Sequence, residues 1–469
     1  MRVALIKPPA TYADWYRQPA MGIACVCASL RRAGFDCRIF DAYFHGWSQT
    51  RLIEHVQEYA PDVVGLTAMT HEIKDAAAIA QSIKQRLPIT AVIGGCHATA
   101  LPARTLEEFP DFDYAVQGEG EKTAAALVTA IADRQPSAVE NIAGLAFRRN
   151  GQIFVNAPPP YMTGEELDAL GFPAIDDYYA GAARPLAGPE SYYVMFTSRG
   201  CPYKCAFCMQ VLGRTVRRRS ADSILNEMEY AIEKYAAHTF DFADEIFLFD
   251  NERTRQLLNS FIAHDFAHRI RWSALTRANF VNEELIALAA RAGCFRLEMG
   301  VEAGDDDILK RIDKGITVDT VRRAAAIIKA AGISLGTYYI LGHPGETLQT
   351  VKKTVQLAAE LNTDSIAVGL MVPYPGTRIF ELASQNRQGY RLLSTDWAQY
   401  DKYGGRVLEI DGLPYEQLVK WQRKALLLLY WKNRRFADCL RYFWKRRKAI
   451  MYMLHARLMR IAGLKRRHT

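Results

Sequence analysis

Cys201-Pro-Tyr-Lys-Cys-Ala-Phe-Cys208 spaces three cysteines as C-x3-C-x2-C. The stretch follows an apolar run, Tyr192–Thr197, that reads as a buried strand. A loop leaving such a strand can fold several thiolates round one soft inorganic centre. Iron–sulfur clusters are held by cysteine thiolates, usually four to a cubane. No fourth cysteine lies nearby. A cubane held by three would keep one iron open, and an open coordination position is what chemistry needs. The plainer readings are a zinc site or a chance group of buried thiols. Tight spacing and the lack of a second Cys or His pair weigh against both.

From Tyr192 onward, short apolar strands alternate with helical patterns. Strands are expected near Tyr192–Thr197, Glu245–Phe249, Trp272–Leu275, Phe295–Glu302, Ser334–Leu341 and Ser365–Met371. Helices are expected at Ala221–Tyr235, Thr254–Ala267, Glu283–Ala292, Val318–Ala331 and Leu348–Leu361. Six such units are too few for a closed eight-stranded barrel. In barrel enzymes the catalytic groups sit on the loops at the carboxyl ends of the strands. Here those loops carry FDNE (Phe249–Glu252), LTRAN with Arg277, LEMGVEAG with Glu298 and Glu302, ILGHPGET with Gly342, and MVPYPGT with Tyr374 and Pro375.

The cysteine stretch resembles the signature of the radical S-adenosylmethionine (radical SAM) enzymes, and Phe207 fits the aromatic position of that signature. The resemblance implies a 4Fe-4S cluster on Cys201, Cys205 and Cys208, with its open iron chelating SAM. It also implies a partial (βα)6 barrel over 191–385. The family often holds the SAM amino group with Gly-Gly-Glu after the second strand, which makes Asp250 and Glu252 the candidates here. Arg277 is expected at the SAM carboxylate, for which a planar guanidinium is suited. Glu302 is expected at the ribose hydroxyls, Gly342 against adenine, and Tyr374 and Pro375 in the wall of the substrate cavity. An electron donor such as flavodoxin or ferredoxin is a further implied partner.

The first 140 residues read as another α/β unit, with strands at Val3–Ile6, Cys37–Phe40, Val63–Leu66, Ala91–Ile93 and Tyr114–Val116. Helices between them imply a doubly wound parallel sheet, whose ligands sit beyond the carboxyl ends of the strands. Those ends are Lys7–Thr11, Asp41–His45, TAMTH (Thr67–His71), GGCHAT (Gly94–Thr99) and QGEGE (Gln117–Glu121). The early Pro-Pro, GGCHAT and GEGE together look like the flavodoxin-like cobalamin-binding domain that precedes the radical SAM domain in many bacterial enzymes. That likeness puts Thr67, Thr70, Gly94, Gly95, His97, Thr99, Gly118, Glu119 and Gly120 at the cofactor. The D-x-H-x-x-G motif of many such domains is absent from KPPATYADWYRQP, so the usual histidine is not expected under the cobalt. His71 as an axial ligand is weighed against Thr70 as a helix N-cap with His71 in the first turn. An Asn150–Gly151 hairpin and a Pro-containing linker fill 141–190.

Nine cysteines in 469 residues, an odd number with three in the motif, argue for a reducing cytoplasm. No apolar run approaches the length of a membrane span. The net charge of +8 is uneven. Residues 422–469 carry 15 Lys or Arg against one acidic residue, Asp438, and the rest carries 44 against 50. This helical extension, 386–469, spaces Phe436, Leu440, Phe443, Ile450, Leu454 and Ile461 at three, four and seven. It reads either as a helix packed on the barrel or as an amphipathic segment on the inner membrane surface. No RNA-reading motif accompanies it, so nucleic acid is not expected.

The resulting expectation is a cobalamin-dependent radical SAM methyltransferase acting on an unactivated carbon of a small or lipid-like metabolite. The alternatives are an oxidative cyclase on a porphyrin-type substrate, a tRNA methylthiotransferase-like enzyme and a cobalamin-sensing module. The methylthiotransferase reading is disfavoured because Cys25, Cys27, Cys37 and Cys96 lack the look of a second cluster site.

Overall fold

The computed structural model describes residues 1–9, 17–135, 137–179, 186, 191–402, 405–445 and 447. Five short apolar runs form the parallel part of a first sheet: β1 (Arg2–Lys7), β2 (Asp36–Asp41), β3 (Val63–Thr67), β4 (Thr90–Gly94) and β5 (Tyr114–Val116). Their order, β2-β1-β3-β4-β5, reverses at β1, so the crevice at the carboxyl ends of β1 and β3 is the switch point where ligands bind in such sheets. Helices α1 (Met21–Arg32), α2 (Gln49–Tyr59), α3 (Ile73–Lys84) and α4 (Gly120–Ala132) cover the strands with their apolar sides.

The expected hairpin is present as β6 (Leu145–Arg149) and β7 (Gln152–Val155), turning through Asn150 and Gly151 at φ 50° and 77°. It joins the first sheet. β6 pairs antiparallel with β5, Tyr114 opposite Phe147, and extends the first sheet to seven strands. The first unit therefore runs past residue 140 to Val155. Leu145, Ala146 and Phe147 are buried, and the hairpin covers what would otherwise be an exposed parallel edge.

The second sheet has six parallel strands in sequential order: β8 (Tyr193–Met195), β9 (Thr239–Phe242), β10 (Arg271–Thr276), β11 (Cys294–Glu302), β12 (Ser334–Leu341) and β13 (Ser365–Leu370). Helices α5 (Ala221–Tyr235), α6 (Glu252–Ala263), α7 (Glu283–Arg291), α8 (Val318–Ala330) and α9 (Leu348–Leu361) join them. Each starts on a polar cap, respectively Ser220, Asn251, Asn282, Thr317 and Thr347, whose side chain accepts a backbone N–H from the first turn. One expected strand is displaced. The run Glu245–Phe249 is a loop apart from one parallel bridge, Leu248 to Thr276, and Thr239–Phe242 is the strand, with Phe240 and Phe242 buried. The later apolar residues fold back on that strand, where Phe247 stacks on Phe242 at 4.4 Å between centroids.

Beyond the barrel, β14 (Tyr390–Leu392) and β15 (Leu408–Ile410) pair antiparallel, followed by α10 (Tyr415–Lys432) and α11 (Phe436–Lys445). α10 packs through Leu418, Ala425, Leu429 and Tyr430. Of the expected apolar stripe, Ile450, Leu454 and Ile461 lie outside the described residues. No described helix is long and apolar enough to cross a membrane.

Buried charge joins the two sheets. The Arg199 guanidinium donates to Glu119 and Glu121 at 3.1 and 2.7 Å, and Arg217 donates to both oxygens of Glu119 at 2.7 and 2.8 Å. Burial alone would lower the Arg199 pKa, but Glu121 and Glu119 more than offset it and hold it above its ordinary value.

Candidate active site

The loop after β8 carries the three cysteines and is tied down on several sides. The Cys201 N–H donates to Gly213 O (3.1 Å), Ala206 N–H to Ile312 O (3.0 Å) and Cys208 N–H to Cys205 O (3.0 Å). Gly200, at φ 98°, has no room for a side chain, since a Cβ would sit 2.3 Å from Thr215 O. Among the described residues no set of three or more His, Cys, Asp or Glu side chains converges on a point that would hold one metal ion. Three thiols on one loop suit a cluster, in which each thiolate would bind a different iron. Burial raises the Cys201 pKa, so binding there releases a proton.

Arg277, at the end of β10, is buried against this loop. Its Nη1 lies 3.9 Å from Cys205 Sγ, and its Cζ is 3.6 Å from the centre of the Tyr203 ring. Its Nε and Nη2 have no hydrogen-bond partner, although both are buried. A buried cation with two empty donors is costly unless an anion completes it. The arrangement suits a carboxylate presented from the cluster side.

Glu302 ends β11 beyond a bulge, in the left-handed region at φ 70°, a strained state for a side chain that often marks function. Lys314 Nζ donates to its Oε1 at 2.7 Å. The same lysine lies 5.9 Å from the centre of the Phe207 ring, and the buried His343 stands 6.0 Å from that ring. Burial lowers the His343 pKa to about 4 and keeps the imidazole neutral.

Three expectations for this end are corrected. Asp250 and Glu252 are exposed and already partnered: Asp250 accepts from Arg255 and Asn282, and Glu252 accepts from Gln256. The cause is the displaced strand, which moves the turn after β9 back to Ala243-Asp244-Glu245. Glu245 accepts from Gly200 N–H at 3.2 Å, beside Cys201, and its charge bears on that thiol. It was missed because Asp-Glu here precedes a longer apolar run. Gly342 is also spent. Its N–H donates to Glu346, its carbonyl accepts from Tyr390 OH at 2.9 Å, and a Cβ would stand 3.0 Å from Ile410.

The strand ends of the first sheet differ in kind. Gly94 ends β4 with nothing nearer to a built Cβ than Leu66 O at 3.9 Å, and Gly118, at φ 68°, has nothing within 4 Å. Thr99 ties these turns together, accepting from Gly118 N–H at 3.0 Å and donating to Gly95 O at 2.8 Å. Thr67 and Thr99 are half-buried beside them. This bare, small-residue shelf is a cradle for a large flat group. Other expected contacts are used elsewhere. Gly95 packs against the neighbouring loop, where a Cβ would meet Thr67 Oγ1 at 2.8 Å, and Gly120 abuts Val26. Glu119 is consumed by Arg199 and Arg217. His97 is wholly buried, edge-on to Trp397 at 4.9 Å, with neither ring nitrogen hydrogen-bonded. Thr70 is buried as the first residue of a short 3-10 turn, Thr70–Glu72, rather than a cap. His71, half-buried in that turn, has its pKa lowered by burial.

The two ends meet at the loop after β13. A Cβ on Gly376 would touch Ala100 Cβ at 3.4 Å and Met209 Cγ at 3.5 Å, so one residue separates the GGCHAT segment from the cluster loop. Tyr374, half-buried, and Pro375, buried, precede it.

A parallel sheet with a glycine shelf, set against a partial barrel with three thiols, defines a cobalamin-binding radical SAM protein. The comparisons agree: residues 195–358 match the radical SAM superfamily and residues 16–128 match the B12 binding domain. An uncharacterised methyltransferase of Pyrococcus horikoshii is 30% identical over 443 residues, which cover 92% of each chain. An anaerobic magnesium-protoporphyrin IX monomethyl ester cyclase of Cereibacter sphaeroides is 28% identical, over 91% of this chain and 72% of its own. The radical SAM methyltransferase TsrM from Kitasatospora setae, solved with cobalamin and a [4Fe-4S] cluster, superposes with a TM-score of 0.72 at 20% identity over 90% of each chain. The chain belongs to the cobalamin-binding radical SAM enzyme family, and its cofactors are a 4Fe-4S cluster, SAM and cobalamin.

Proposed function

We propose that this enzyme transfers a methyl group to an unactivated carbon of a small or lipid-like substrate, with flavodoxin or ferredoxin as electron donor. The observation that carries the reading is Gly376, at which the cobalamin shelf and the cluster loop come within one residue of each other. When bound, the cluster and SAM supply a hydrogen-abstracting radical, and cobalamin supplies a transferable methyl group. The chain's own residues bind and orient. Cys201, Cys205 and Cys208 would ligate the cluster, and Arg277 would pair with the SAM carboxylate. Glu245 takes the amino-group role first given to Asp250 and Glu252. Glu302, with one oxygen on Lys314, keeps the other for ribose hydroxyls. Gly94, Gly118, Thr67 and Thr99 would bear on the corrin, while Tyr374 and Pro375 would wall the substrate space. Buried Met371, Val372 and Pro373 beneath that wall help to exclude water.

Similarity to the cyclase makes oxidative ring closure the second reading. The two separate in one experiment. Protein purified without oxygen, loaded with cobalamin and reduced, is given SAM, and the products are read by mass spectrometry. Deoxyadenosine together with S-adenosylhomocysteine is expected. Deoxyadenosine without S-adenosylhomocysteine in the presence of a converted substrate would replace methylation by cyclisation.

A further inference from the structure

Of the 13 large apolar side chains exposed among the described residues, six lie between Leu427 and Trp444. Leu427 and Trp431, one turn apart at the end of α10, are 52% and 73% exposed. On α11, Phe436, Leu440, Phe443 and Trp444 follow at i, i+4, i+7 and i+8, one face of the helix. Leu440 and Trp444 are 73% and 69% exposed. Trp431 and Phe436 meet edge-on at 5.6 Å, so the ridge continues across the corner between the helices. An apolar patch of this continuity marks a contact surface.

The ridge is fringed by cations. Arg423, Lys424, Lys432, Arg434, Arg441 and Arg447 are exposed, and Arg447 sits 4.6 Å over the Trp444 ring. The lone acidic residue, Asp438, is held by Arg435 at 3.0 Å and Arg441 at 3.4 Å. The corner itself is fixed to the barrel. Asn433 donates to Ala359 O at 2.9 Å, and Arg435 donates to Thr363 O at 2.7 Å and Asp364 O at 3.2 Å. It does not swing free. It presents aromatic and aliphatic groups, Trp included, within a field of positive charge, which is the chemistry of the interface of an anionic bilayer.

We propose that the α10–α11 corner docks reversibly on an anionic phospholipid surface. This goes beyond the reaction and does not depend on it. The position of the corner also sets the geometry. α10 starts beside the Gly342 turn, where Leu418 lies 3.5 Å from a built Cβ, and ends against Thr363 and Asp364, which precede β13. The ridge is thus at the amino ends of the barrel strands, opposite Cys201–Cys208. Docking tethers the enzyme by its far end and leaves the cluster end free.

The test uses the full chain and vesicles of phosphatidylglycerol with phosphatidylcholine, read by co-sedimentation and by Trp emission. Binding is expected at low salt, with a blue-shifted emission. It should weaken about tenfold or more as salt rises from about 0.05 M to about 0.5 M, since surface charge is screened over that range. The double variant Leu440→Glu/Trp444→Glu, both exposed positions, should lose binding while keeping iron content and SAM cleavage. Wild-type binding by the double variant would overturn the proposal, as would absence of wild-type binding at low salt. A wild-type dimer that the double variant converts to monomer, with neither protein sedimenting with vesicles, would assign the ridge to a second copy instead. Equal affinity for vesicles of phosphatidylcholine alone would overturn the anionic requirement.

Discussion

Two sets of strand ends face each other, and they are furnished in opposite ways. The first sheet offers backbone: Gly94 and Gly118 leave open space, Thr67 and Thr99 flank them, and the charged residues nearby are turned away into ion pairs. The barrel offers side chains: three thiols, the Arg277 guanidinium with two empty donors, the Glu302–Lys314 pair and Glu245. A wide planar cofactor is suited by a surface from which bulk has been removed. A cluster with a charged chelate is gripped by ligands and counter-charges. The same contrast explains a false likeness. The Gly342–Gly345 turn looks in sequence like the Gly94 turn, but Gly342 has given both backbone groups to Glu346 and Tyr390 and has Ile410 over it. A glycine turn is a site only where its backbone is left unspent.

If the division is real, the two grips should fail separately. The largest effect is expected from replacing Cys201, Cys205 and Cys208 together by Ala. Iron and SAM cleavage should vanish, while cobalamin binding, followed by its visible spectrum, should persist. Full iron loading in that variant would move the cluster elsewhere. Gly94→Val is the converse. Its Cβ has space, so the fold should hold, and the branched side chain should cut cobalamin affinity by about 100-fold with iron unchanged. Gly95→Val would be a poor substitute, because Thr67 and Ala68 already fill the space of its Cβ and the variant would fail through packing.

Between the grips lies the clamp. Glu119→Ala would leave buried Arg217 without a carboxylate and Arg199 with Glu121 alone, and removing one partner of a buried pair costs about 3–5 kcal/mol. Chemical denaturation should register that loss, with cobalamin and SAM release becoming coupled as the domains separate. A change under about 1 kcal/mol would mean that water reaches the pair and that the domains are held by other contacts.

These residues also mark what a sequence can disclose. The cysteine stretch was legible because its three cysteines lie within eight residues, and the parallel strands because each is a short apolar run between helical periods. Thr239–Phe242 and Ile246–Phe249 are both such runs; the first pairs along the sheet, while the second makes one parallel bridge, Leu248 to Thr276, and stacks Phe247 on Phe242. That misplacement put Asp250 and Glu252, rather than Glu245, at the turn after the second strand. Glu119 sits in a motif that looks made for a ligand, but its partners Arg199 and Arg217 are 80 and 98 residues away. His97 needed Trp397, in the segment after the barrel, to be recognised as core. Long-range partners, rather than local patterns, account for these misses.

The smallest effect should come from Arg277→Lys, and it tests the charged side of the comparison most sharply. Arg277 is doubly placed, stacked on Tyr203 through its guanidinium plane and aimed past Cys205 with Nε and Nη2 unpaired. Lysine keeps the charge and loses both the plane and the second donor. Loss of one of two donors to a carboxylate should weaken SAM about tenfold, equivalent to about 1.4 kcal/mol. Calorimetric titration of cluster-loaded protein reads this directly, with iron content as the control that the loop is intact. A structural arginine predicts a different pattern, since its role would be to hold Tyr203 and the loop. Arg277→Lys would then lower the melting temperature and the iron content together, and whatever protein still carried a cluster would bind SAM as tightly as wild type. Unchanged SAM affinity in the lysine variant would remove Arg277 from the binding site and leave Glu302 and Glu245 as the charged contacts of the barrel end.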